Sequence, residues 1–101
     1  MGFFSNFSAI GKIYDKLKVL EKDLTEMQEC LSSPYLRSGF NNASGRGLQH
    51  LKELTEMVNN ASDTVLRADF EFAGQKKPIS HHLFAISEYM KKMIAEYTFQ
   101  R

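Results

Sequence analysis

The chain has 101 residues, 43% of them hydrophobic and 25% charged. That fits one globular domain, 1–101, with a single modest core, and excludes a chain that is disordered by composition. Thirteen basic and twelve acidic residues leave a net charge of +1, and there is one cysteine, Cys30. A dedicated nucleic-acid binder would carry a basic excess, and a disulfide framework or multi-cysteine zinc site would need more thiols.

The first segment places Ile10, Ile13, Leu17, Leu20, Leu24, Met27 and Leu31 at alternating spacings of 3 and 4. Only a helix brings such residues to one face, so the spacing predicts a helix over about 6–32. Ser5 or Ser8 caps it, and Pro34 ends it. Residues 34–46 read as a connection, because Pro34, Gly39, Asn41, Asn42, Ser44 and Gly45 are turn chemistry. Tyr35, Leu36 and Phe40 are too apolar for a free linker and are expected to pin it over one end of the helices. Ser44-Gly45-Arg46-Gly47 reads as the cap of the next helix.

A second seam, Leu51, Leu54, Val58, Ala61, Val65, Ala68 and Phe72, predicts a helix over about 46–73 with Gly74 as its C-terminal cap. Asn59, Asn60, Ser62 and Asp63 are poor helix formers, which leaves room for a kink or break between Asn59 and Asp63. Pro78 suits the first turn of a third helix, whose seam is Ile79, Leu83, Ile86, Met90, Met93 and Tyr97. The expected fold is all-α, an antiparallel bundle of three long helices. Net charge alternates along the chain, at −3 over residues 48–73 and +3 over 74–101, which favours those segments lying side by side.

Several apolar residues fall off these seams. At about 100° per residue, Phe84 lies nearly opposite the third seam and Leu66 and Phe70 lie to one side of the second. A monomeric bundle hides one stripe per helix, so the surplus predicts completion by self-association, most simply as a dimer, or docking of a protein partner. The weak interaction candidates are therefore Phe84, Leu66, Phe70, Phe3, Phe4 and Phe7. The last three cluster at the N-terminus, where they can cap the end of the bundle or enter a membrane interface. The opening Met1-Gly2-Phe3-Phe4-Ser5-Asn6-Phe7 resembles the amphipathic start of phage-shock-type membrane-stress proteins, over that segment alone.

Catalytic, metal and cofactor residues do not nominate themselves. Adjacent His81 and His82 point about 100° apart on a helix, and His50 with Glu53 reads as a surface contact. No Walker or nucleophile-elbow pattern occurs. The N-terminus lacks a basic region followed by an apolar one, so the sequence predicts a cytoplasmic, reducing setting. The functional expectation is a non-catalytic helical protein acting through protein–protein contact, without nucleic acid or cofactor. The alternatives are a peripheral membrane-associated factor using the Phe cluster and a small-ligand binder lined by Met57, Met90, Met93 and Tyr89.

Overall fold

The computed structural model describes the backbone of residues 3–99 and the side chains of residues 6–99. The described chain is mostly helical, with α1 at Phe3–Ser32, α2 at Phe40–Asn59, a short α3 at Asp63–Arg67 and α4 at Ile79–Phe99. Between α3 and α4 lies a two-stranded hairpin, β1 at Asp69–Phe72 and β2 at Gln75–Pro78. The molecule is elongated, 50 × 20 × 20 Å, about the length that a 30-residue helix reaches at 1.5 Å per residue.

α1 follows its seam. Ile13, Leu17, Leu20, Leu24 and Met27 are all buried, with Ile10 and Leu31 half-buried at the ends. α2 runs antiparallel to it, because the side-chain pairs Lys16–Glu53, Asp23–His50 and Glu26–Arg46 climb one helix as they descend the other. α4 contributes buried Ile79, Ile86, Met90 and Met93. Phe40, at the start of α2, stacks on Tyr97 near the end of α4 with ring centroids 4.3 Å apart.

Two segments differ from the sequence expectation. The connection is shorter than expected, since a 3-10 turn at Arg37–Gly39 leads straight into α2 at Phe40. Phe40, Ala43, Ser44 and Gly47 are buried on one face of α2. Their burial outweighs the poor helix propensity of the Asn, Ser and Gly residues around them. Ser44-Gly45-Arg46-Gly47 therefore sits inside a helix and caps nothing. Of the residues expected to pin the connection, Phe40 is buried, whereas Tyr35 is 94% and Leu36 50% exposed.

The second is a small hairpin in a chain that otherwise keeps the expected helical class. The expected second long helix stops at Asn59, inside the segment flagged for a break, and resumes only briefly at Asp63. Ser62 caps the short α3: its hydroxyl accepts from the Val65 amide at 3.4 Å and donates to Asn6 Oδ1 at 2.9 Å. Residues 69–78 then form the hairpin, in the register Asp69↔Pro78, Phe70↔Lys77, Glu71↔Lys76 and Phe72↔Gln75. Ala73 and Gly74 turn it, with φ of 55° and 78°, as a two-residue type I′ loop requires. Gly74 thus serves a hairpin rather than a helix end. A closing pair flanking such a loop is hydrogen-bonded, and pairs alternate along the ladder. Pro78 accordingly falls where no amide hydrogen is needed.

Ala73 is the one non-glycine with positive φ among the described residues, a conformation that costs an L-residue about 1–2 kcal/mol. Asparagine tolerates it better, so Ala73→Asn should raise stability by about 0.5–1 kcal/mol. A higher urea midpoint at unchanged slope would register the gain, and an unchanged or lower midpoint would refute the turn assignment.

Candidate functional site

Three surfaces carry unusual chemistry. The first is the outer face of the α2–α4 pair, the side away from α1. Leu48 on α2 is 47% exposed and Phe84 on α4 is 69% exposed. At about 100° per residue, Phe84 points away from the α4 core seam, beside Glu88 and Lys91, while half-buried Leu51, Leu83 and Ile94 pack against the core. Lys52, Lys91 and Glu88 lie at the rim of this face, and Lys91 approaches Glu88 at 3.8 Å.

The other interaction candidates separate. Phe70 is fully buried on β1 and leaves the exposed set. Its ring packs on Tyr14 at 5.1 Å. It escapes the off-seam position expected of it because residue 70 is in a strand, where side chains alternate with a period of two. Leu66 is half-buried against the core. Phe7 is 57% exposed on α1, while the side chains of Phe3 and Phe4 lie outside the described residues. Among the described residues no helix is long and apolar enough to cross a membrane.

The second surface is a polar seam along α1 and α2. His50 Nδ1 meets Asp23 Oδ2 at 2.6 Å, with the Asp23 side chain 5% exposed. His50 therefore reaches across to α1, not to Glu53 on its own helix as the sequence suggested. Glu53 pairs instead with Lys16 at 2.6 Å. The Lys16 ammonium, with Gln49 adding a second hydrogen bond at 3.3 Å, holds the Glu53 carboxyl below its usual pKa. A lowered carboxylate contributes stability near neutrality that is lost as pH falls through the acidic range. Arg46 pairs with Glu26 above them.

An imidazole held by a buried carboxylate is half of an acid–base triad. Among the described residues no hydroxyl or thiol completes it, and no three His, Cys, Asp or Glu side chains gather to hold a metal. The pair instead locks helix register. Replacing His50 with Leu strands the Asp23 carboxylate without its partner, and should cost about 1–3 kcal/mol in chemical denaturation. A neutral substitution would remove the pair from the account of the α1–α2 contact.

The third surface is a cavity of about 260 Å³ between the hairpin, α1 and α4, walled by Leu24, Phe72, His82, Ile86 and Tyr89 among others. His82 is buried and its Nε2 donates to the Phe70 carbonyl at 2.5 Å. The ligand pocket expected from the methionines does not assemble. Met90 and Met93 are core residues, and Met57 lines a separate groove with Ser8, Ala9 and Lys12. Single-sequence reasoning missed both Asp23–His50 and the His82 anchor, because each joins residues from different elements.

Comparison with protein-family models, with curated proteins and with solved structures finds no match for this chain. Functional inference therefore rests on the surfaces themselves.

Proposed function

We propose that this is a non-catalytic helical interaction protein whose three long helices form an antiparallel bundle that pairs with a second copy through the α2–α4 outer face. The observation that carries the reading is the exposure of two large apolar side chains, Phe84 at 69% and Leu48 at 47%, on the adjoining helices α4 and α2. Large apolar side chains left exposed on adjoining helices are what a contact site supplies.

Area accommodates the same reading. The chain exposes 6745 Å², whereas a compact monomer of its mass exposes about 5,800 Å². The elongated 50 × 20 × 20 Å shape accounts for that surplus and leaves side surface for the ~800 Å² that each partner loses in a standard interface. The radius of gyration, 15.0 Å, likewise exceeds the ~12.7 Å of a compact chain of this length. An isologous two-fold contact sets the patch against itself, with Phe84 contributed by both copies.

Phe84→Asp tests the proposal. Burying a phenylalanine is worth about 1.5–3 kcal/mol, and a two-fold dimer loses two of them. The dimer dissociation constant should then rise about 100-fold or more. Because Phe84 is mostly exposed in the single chain, helix content by circular dichroism should stay the same. An unaltered sedimentation coefficient at matched concentration would rule out this face.

A further inference from the structure

The cavity beside the hairpin has a chemistry of its own, separate from the α2–α4 outer face. Its wall is largely aromatic and apolar: Phe72, His81, His82 and Tyr89 ring it, with Leu24 and Ile86 at its base. The rings hold one another in place. Phe72 meets His82 edge-on with centroids 5.6 Å apart, and His81 meets His82 likewise at 5.7 Å. The Tyr89 hydroxyl is anchored by donating to Gln28 Oε1 at 2.9 Å.

Of the polar residues that line this space, His82 is the buried one. It is only 2% exposed. A carbonyl can only accept, so the 2.5 Å contact with Phe70 O puts the proton on Nε2 and leaves Nδ1, in the neutral ring, as an acceptor. Nδ1 makes no hydrogen bond of its own among the described residues, yet no side-chain nitrogen or oxygen there is both fully buried and unpaired. Nδ1 is therefore not sealed from accessible space, and His82 lines this cavity. The site is thus a largely apolar pocket in which His82 is the buried acceptor, with exposed Gln75 and His81 at its edge. Its volume is ample for a ring, since a dry apolar cavity of about 150 Å³ already holds benzene.

We propose that this cavity binds a small aromatic molecule carrying one O–H or N–H donor, of the phenol class, with the ring among Phe72, His82 and Tyr89 and the donor on His82 Nδ1. An acceptor that any occupant must desolvate favours a ligand that can satisfy it over an isostere that cannot.

The experiment is a heteronuclear NMR titration of the full chain with phenol and, separately, with toluene, which has the same ring and lacks the donor. Phenol should shift His82, Phe72 and Tyr89 resonances saturably and bind about tenfold or more tighter than toluene. Equal affinity for the two, or no saturable shift at these residues, would overturn the proposal. His82 also supports the Phe70 backbone, so its own substitution can disturb folding. Ala85→Leu avoids that: Ala85 is an exposed α4 residue on the cavity wall. The added bulk should abolish phenol binding while helix content stays unchanged. Undiminished phenol affinity in that variant would place the ligand elsewhere.

Discussion

Replacing Phe40 with alanine should destabilise the protein by about 3–5 kcal/mol, the largest single effect expected on this chain. Phe40 is 1% exposed, and it joins α2 to α4 at one end of the molecule. It opens α2, packs in the core, and stacks on Tyr97 of α4 at 4.3 Å with the planes 15° apart. Arg37 closes the same corner, with its guanidinium 4.8 Å from the Tyr97 ring centre and Nη2 donating to the Tyr97 carbonyl at 3.0 Å. Truncation leaves a cavity that flanking helices cannot fill without sliding. Were Phe40 exposed as Tyr35 is, the same substitution would cost well under about 1 kcal/mol. Equilibrium denaturation in urea separates the two outcomes.

Gly47→Leu should come next, at about 3 kcal/mol. Gly47 lies where α2 approaches both α1 and α4. A Cβ there would stand 2.6 Å from Met90 Cε, 3.5 Å from Asp23 Cβ and 3.6 Å from Met27 Sδ. Met90 Cε is the tip of a flexible side chain, so an alanine is accommodated by a small rotamer shift and regains helix propensity worth about 1 kcal/mol. Leucine has no such escape: its branch must displace buried Met90 and Met27 or push α2 outward. The expected pattern is near-neutral Gly47→Ala beside strongly destabilised Gly47→Leu in thermal and chemical melts. If leucine proved as mild as alanine, the close helix approach at this point would be wrong.

These two residues also show what the sequence concealed. Helices α1 and α4 were legible because leucine, isoleucine and methionine recur without interruption, so one periodicity dominates. The start of α2 was not, because its core face is made of Phe40, Ala43, Ser44 and Gly47. Small residues read as turn chemistry until the space they leave is filled by another helix. Their positions still carry helical spacing, which was the available signal. The hairpin was hidden by the opposite accident. Val65, Ala68 and Phe72 continue the spacing of the preceding seam, although Asp69-Phe70-Glu71-Phe72 alternates polar and apolar with a strand's period. Its observed burial does the same, with Phe70 buried between exposed Asp69 and Glu71.

The candidate surfaces divide along similar lines. Phe84 was visible as an off-seam residue because it sits in an unbroken helix, where angle follows from residue number. Phe70 misled because the helix that placed it does not extend that far. Asp23–His50 and the His82 contact with Phe70 depend on how separate elements meet. Residue spacing carries no information about that.

Sedimentation equilibrium of the unaltered chain over a wide concentration range bears most directly on the proposed pairing. The account predicts a mass rising to twice the 11.6 kDa of one chain. A mass that stays at one chain up to the highest concentration reached would contradict it.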